Sequence, residues 1–254
     1  MKIGCCCPIE QAEMAKAAGF DYLECPLVAL RPEEDDAAFA PILDNYRAAA
    51  LPVWAFNIFL PGDLKMVGPT VDKARIQRYV QTALTRAQLI GAQLIVFGSG
   101  TARLIPPDFP RAKAIDQLVA FLHIVADEAE RTGITIAIEP LNRKESNVLN
   151  SVPEGVELAQ RVNRPSIRVL ADFYHMDEER EPLSHISQYK DWLAHIHVAD
   201  SGRLAPGTGH YPYALFAQEL RQINYTGMVS MECRWRDFGA EAGPAVQFLR
   251  AVFG

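Results

Sequence analysis

The sequence predicts a single-domain (β/α)8 barrel spanning residues 1–254. Three observations carry that expectation: a length of 254 residues, an alternation of short apolar runs with amphipathic stretches repeated along the whole chain, and no linker or composition shift that would mark a second domain. About 250 residues is the usual length of one such barrel. Because each helix returns the chain to the same edge of the sheet, the strands are parallel. An open doubly wound sheet is the competitor, but eight units in this length fit closure better.

The elements follow in order. Residues 2–7 form an apolar strand, and 9–18 a helix stopped by Gly19. Strand two covers 21–25 and helix two 33–49, opened by the acidic run Glu33, Glu34, Asp35 and Asp36 after Pro32. Acids suit a helix start because they meet the positive end of its dipole. Strand three is 52–57. Helix three, 71–90, places Ile76, Tyr79, Val80, Ala83, Leu84, Ala87 and Ile90 on one face, and Gly91 ends it. Strand four is 93–97, followed by Gly98-Ser99-Gly100. Helix four runs from about 111 to 131 and stops at Gly133. Strand five is 134–139. Helix five, 152–162, carries Ser151 as a cap with Glu154 three residues on. Strand six is 167–172, a short helix occupies 184–189, strand seven is 194–199 and helix seven 212–223. Strand eight, 228–232, and a closing helix, 240–253, end the chain.

Composition narrows the function. Hydrophobic residues are 49% and charged residues 22%, which supports a large core and argues against disorder. The net charge is −6, with no Lys/Arg cluster to neutralise phosphates, so a nucleic-acid partner is not expected. Five cysteines, three of them consecutive (Cys5, Cys6, Cys7), do not resemble a disulfide framework. Successive strand residues face opposite sides, so the triplet cannot converge on one metal ion and reads as small apolar strand positions. The N-terminus lacks a signal-peptide apolar stretch, and no run approaches the length of a membrane span. A soluble cytoplasmic protein with no membrane partner is the expectation.

The chemistry concentrates at strand ends. Strand five ends at Glu139, strand six at Asp172, strand seven near His197 and strand eight at Glu232. In a barrel the carboxyl ends of the strands converge on the face that carries active sites. A lone acid after a strand is often only a helix cap. Four such residues on consecutive strands are better explained by one divalent cation, which lets three carboxylates coexist. Three carboxylates and one imidazole suit Mn²⁺, Mg²⁺ or Co²⁺ more than a structural zinc, although Zn²⁺ is also compatible. His195 and His197 share a strand face, and His197, nearer the strand end, is the expected ligand; His195 is expected to be buried or to support it. Glu24 and Asn57, which end strands two and three, are candidate pocket residues beside ordinary loop contacts, and Trp235 could wall the pocket. The run Gly98-Ser99-Gly100-Thr101-Ala102-Arg103 could cradle an anion, but a tight turn accounts for it more simply.

These segments resemble the xylose-isomerase-like barrel family of sugar isomerases and epimerases, especially its D-tagatose/D-psicose 3-epimerase branch. The stretches that carry the resemblance are Glu139-Pro140-Leu141-Asn142-Arg143-Lys144-Glu145, Asp172-Phe173-Tyr174-His175-Met176, His197-Val198-Ala199-Asp200-Ser201-Gly202-Arg203, Pro206-Gly207-Thr208-Gly209-His210 and Met231-Glu232. It is strong over about 134–235 and reaches the N-terminal half only in its barrel rhythm. The resemblance implies that Glu139, Asp172, His197 and Glu232 hold one divalent metal, that Glu139 and Glu232 are the acid/base pair, and that Glu145, His175 and Arg203 contact substrate oxygens. Pro212 departs from the Asp expected there in many relatives, which bears on the local loop and on specificity. The implied activity is isomerisation or epimerisation of a small ketose-type sugar through an enediolate. A sugar or cyclitol (inosose-type) dehydratase on the same site is the alternative. A multi-zinc abasic-site endonuclease is disfavoured because strands three and four end in Asn57 and Gly98 rather than His. A homo-oligomer, dimer or tetramer, is compatible with all of this.

Overall fold

The computed structural model describes residues 1–254, and its eight strands close into a parallel barrel in sequence order, each bonded to the next and β8 to β1. The strands are β1 Lys2–Cys6, β2 Tyr22–Pro26, β3 Val53–Asn57, β4 Leu94–Phe97, β5 Thr135–Ile138, β6 Ile167–Asp172, β7 Leu193–Val198 and β8 Met228–Met231. The helices are α1 Ala12–Ala18, α2 Asp36–Arg47, α3 Lys73–Ile90, α4 Gly100–Arg103, α5 Arg111–Thr132, α6 Val152–Val162, α7 Phe173–Glu178, α8 Ser184–Gln188, α9 Tyr213–Gln222 and α10 Phe238–Phe253.

Local chemistry sets the helix limits. Asp35, Asp72, Ser151 and Asp237 accept backbone N–H bonds from the first turns of α2, α3, α6 and α10. The acidic run therefore divides its work: Asp35 caps α2, three residues later than the sequence suggests, while Glu33 pairs with Arg75 of α3. The start of the first expected helix is a 3-10 turn, Ile9–Gln11, before α1 begins. Gly19, Gly91 and Gly133 terminate α1, α3 and α5 as expected.

Two apolar layers hold the barrel. A cluster of 69 buried residues fills the space between strands and helices. Inside, Tyr22, Ala55, Leu94, Val96, Ala137 and Leu170 fill the lower lumen. Gly4 makes room for this packing, because a Cβ there would lie 2.2 Å from the Tyr22 ring. Burying each large apolar side chain contributes about 1.5–3 kcal/mol, so the filled lumen is a rigid floor for what lies above it.

Two arginines brace the loops from within. Arg86, 2% exposed, donates to the carbonyls of Leu30, Arg31, Glu34 and Asp35. Arg103, fully buried, donates to the Phe97 and Glu139 carbonyls and so ties the end of β4 to the end of β5. The Gly98–Arg103 run turns into α4 with its arginine spent on backbone oxygens, while residues 98–102 line the cavity described below. No helix is long and apolar enough to cross a membrane.

Candidate functional site

Parallel pairing aligns the polar strand ends. Asp172 is in register with His197, and His197 with Ser230, two residues before Glu232. Glu139 and Glu232 lie one residue beyond their strands, and their backbone N–H groups still bond to the neighbouring strands, at Phe97 and Val198. All four side chains meet around His197 Nδ1, which lies 3.2 Å from Glu139 Oε1, 3.7 Å from Glu232 Oε2 and 3.9 Å from Asp172 Oδ2.

Asp172 combines the two roles weighed for it. Its Oδ1 caps α7, accepting from the backbone N–H groups of Tyr174 (2.7 Å) and His175 (3.3 Å), and its Oδ2 is left to face the cluster. The sequence contains no separate sign of α7, which is only six residues long. His175 is buried. Its Nδ1 accepts from the Asn142 backbone N–H (3.1 Å) and pairs with the Asn142 amide nitrogen (2.9 Å). That arrangement leaves the proton on Nε2, which has no partner and lies 3.7 Å from Asp172 Oδ2. Asn142 was not singled out from the sequence; its position three residues after Glu139 was the available signal.

Glu24 differs from the expectation: it lies within β2 rather than at its end and does not line the cavity, being fully buried beneath the cluster. One oxygen bonds His197 Nε2 at 2.9 Å; the other bonds His195 Nε2 at 2.8 Å and accepts from Ser230 Oγ at 2.7 Å. Tyr22 OH extends the network to Ser230. His195 is thus buried in support of His197, as expected. With Glu24 on Nε2, His197 presents Nδ1 to the cluster.

A cavity of about 270 Å³ opens beside these groups, lined among others by Asn57, Gly98, Glu139, Glu145, Arg203 and Glu232. Asn57 points inward and donates to Glu232 Oε1 at 3.4 Å. Arg203 bridges Glu145 (3.0 Å) and Glu232. Gly98 permits the approach of Glu139, since a Cβ there would sit 2.2 Å from Oε2. Trp235 does not line this cavity; its ring packs edge-on against Phe238, with centroids 5.0 Å apart, as part of the outer wall. The loop before Pro212 is organised by buried Asp200, which accepts from the backbone N–H groups of Ser201, Gly207 and Tyr211.

The electrostatics divide the acids. Burial and the charge of Glu232 raise the pKa of Glu139. Burial would raise Glu232 as well, but His197 and Arg203 outweigh it and hold that carboxyl at about 2. Burial likewise opposes ionisation of Glu24, yet the two imidazoles hold it well below the usual range. Burial lowers His195, whereas the surrounding carboxylates overcome burial and hold His197 well above its ordinary value. A proton on His197 thus supplies positive charge that the acid cluster demands. A divalent ion fits the same place: Glu139, Asp172 and Glu232 surround His197 Nδ1, and the same three carboxylates also cluster with His175, so three carboxylates and an imidazole nitrogen form a hard-to-borderline donor set.

Comparison with known proteins agrees with this geometry. Residues 12–252 match the model of the xylose isomerase-like TIM barrel family. An L-ribulose 3-epimerase of Methylomonas sp. (strain DH-1) is 30% identical over 93% of this chain and 88% of its own. A 3-dehydro-D-guloside 4-epimerase of Escherichia coli (strain K12) is 28% identical over 67% of this chain and 68% of its own. The crystal structure of a D-psicose 3-epimerase in the presence of D-fructose superposes with a TM-score of 0.85 at 25% identity, covering 100% of both chains. These relatives are isomerase-class enzymes, and the chain belongs to the xylose isomerase-like TIM barrel family.

Proposed function

We propose that the protein is a divalent-metal-dependent epimerase of small ketose-type sugars, inverting a carbon next to the carbonyl, with Glu139 and Glu232 as the acid/base pair. The observation that carries the reading is the convergence of Glu139, Asp172 and Glu232 on His197 Nδ1 at the rim of an open cavity. An ion held by these four residues, with Mn²⁺, Mg²⁺ or Co²⁺ favoured by the donor set, supplies Lewis-acid polarisation of the substrate's carbonyl and neighbouring hydroxyl when bound.

The protein's own groups do the rest. Glu232, kept ionised by His197 and Arg203, takes the proton from the carbon beside the carbonyl. Glu139, whose ionisation burial and the Glu232 charge oppose, is the partner that returns a proton to the opposite face of the planar enediolate. Arg203 and Asn57 bond Glu232 and not Glu139, which distinguishes the two carboxyls. The reverse reaction exchanges the roles. The Nε2–H of His175 and the Arg203 guanidinium donate to substrate oxygens as negative charge develops on them, and Glu145 holds Arg203 in place.

Epimerases among the relatives support this reading over the dehydratase alternative, which none of those described favours. They invert different carbons, so family membership alone does not choose the centre. The test is a panel of ketoses incubated in D2O with added Mn²⁺. The expected result is solvent deuterium at one carbon next to the carbonyl, together with a new epimer of unchanged connectivity. No deuterium in any ketose overturns the proposal; loss of water from the product favours the dehydratase.

A further inference from the structure

We propose that Cys6, His197 and Glu232 form a second, softer donor set in the barrel lumen that captures a thiophilic cation such as Zn²⁺ or Cd²⁺. The cysteine triplet is the starting point. Cys5 and Cys7 are buried in the layer between strands and helices, so strand alternation turns Cys6 the other way, into the lumen. Cys6 is in register with Glu24 on β2, and Cys5 with Met231 on β8, which brings Cys6 level with Glu232. The thiol, a His197 nitrogen and a Glu232 oxygen all lie within 4.8 Å of one another. Around a tetrahedral zinc ion these donors would stand about 3.5 Å apart, so small side-chain rotations close the set. Cys6 is half-buried, whereas Cys5 and Cys7 are buried.

The chemistry separates the two sets. Mn²⁺ and Mg²⁺ prefer oxygen donors and would engage Glu139 and Asp172, whereas a thiolate selects zinc- and cadmium-like ions. Binding of such an ion displaces the Cys6 thiol proton to solvent, with no change of oxidation state. Because His197 and Glu232 belong to both sets, occupation is mutually exclusive. A thiophilic ion therefore competes with the working ion and draws Glu232 toward β1. Only this competition rests on the metal reading proposed above; capture at Cys6 does not.

The test is titration of the metal-free full chain with Cd²⁺, following the ultraviolet thiolate-to-cadmium charge-transfer band, in the wild type, Cys6→Ser and Cys233→Ser. The wild type and Cys233→Ser are expected to develop the band with one equivalent. Cys6→Ser is expected to lack it and to bind Cd²⁺ more than about tenfold more weakly, because its softest donor is gone. Retained Mn²⁺ binding by Cys6→Ser shows that the variant is folded; failure of Mn²⁺ to bind even the wild type refutes the competition and the metal reading, while the cadmium band still decides the capture. A second measurement needs no variant: Zn²⁺, but not Mg²⁺, should protect Cys6 of the wild type from alkylation mapped by mass spectrometry. A band that survives in Cys6→Ser, cadmium bound by the wild type without a band, or equal labelling of Cys6 in both metals overturns the proposal.

Discussion

Replacing Glu24 by Gln should weaken metal binding without any change at a residue that faces the cavity. The wild-type carboxylate accepts from His197 Nε2 (2.9 Å), His195 Nε2 (2.8 Å) and Ser230 Oγ (2.7 Å) in a fully buried setting. Hydrogen bonds to a charged group are worth about 1.5–3 kcal/mol each, and a buried donor left facing another donor costs about as much. Glutamine has nearly the same shape but one acceptor oxygen where glutamate has two. Its NH2 group must therefore face either the His195 and Ser230 side or His197. If it faces His197, Nε2 becomes the acceptor, the proton moves to Nδ1, and the nitrogen aimed at the cluster can no longer donate its lone pair to a metal. If it faces His195, His197 keeps its partner but loses the negative charge that strengthens it as a ligand. Both routes weaken the site, and removing a carboxylate behind a metal-ligating imidazole typically costs about 10–100-fold in affinity. That corresponds to about 1.4–2.7 kcal/mol. Isothermal titration calorimetry with Mn²⁺ reads the effect directly, with circular dichroism of the metal-free variant as the folding control. A folded Glu24→Gln protein whose Mn²⁺ affinity stays within about threefold of wild type would refute the argument that Glu24 orients His197 for a cation.

Two further outcomes follow from the site. Gly98→Ala places a Cβ 2.2 Å from Glu139 Oε2, so the carboxylate must move; kcat/KM for the epimerisation should fall about 100-fold while the circular dichroism spectrum is unchanged, and full activity would mean that Glu139 need not hold its position. Metal affinity should rise with pH: the surrounding carboxylates hold His197 protonated well above its ordinary value in the metal-free protein, so an ion must displace that proton, and the gain should level off once pH passes the raised pKa. Calorimetry in buffers of different ionisation enthalpy counts the released proton, and pH-independent affinity without proton release would contradict a protonated His197.

The rim of the site was legible in the sequence because each member follows its own apolar strand. Glu139, Asp172, His197 and Glu232 announce themselves by local position, and closure of the barrel brings strand ends together without further information. Helix limits were legible to within a few residues for the same reason, since Ser151 and the glycine stops act on adjacent backbone. Local pattern misplaced the start of α2, where four acids in a row all suited a helix start and only the reach of Arg75 to Glu33 and of Ala38 N–H to Asp35 distinguishes them.

What lies beneath the rim was decided by the tertiary structure. Glu24 meets His195 and His197 across 171 and 173 residues of chain, and Cys6 meets Glu232 only because β1 and β8 close the ring. A single glutamate or cysteine on a strand carries no local sign of such a partner. The sequence by itself determined the barrel and which side chains stand at its mouth, because periodicity and turn chemistry act over a few residues. The depth of the lumen, the buried carboxylate behind the histidine and the side of the sheet that each cysteine faces depend on register between distant strands, which only the closed barrel sets.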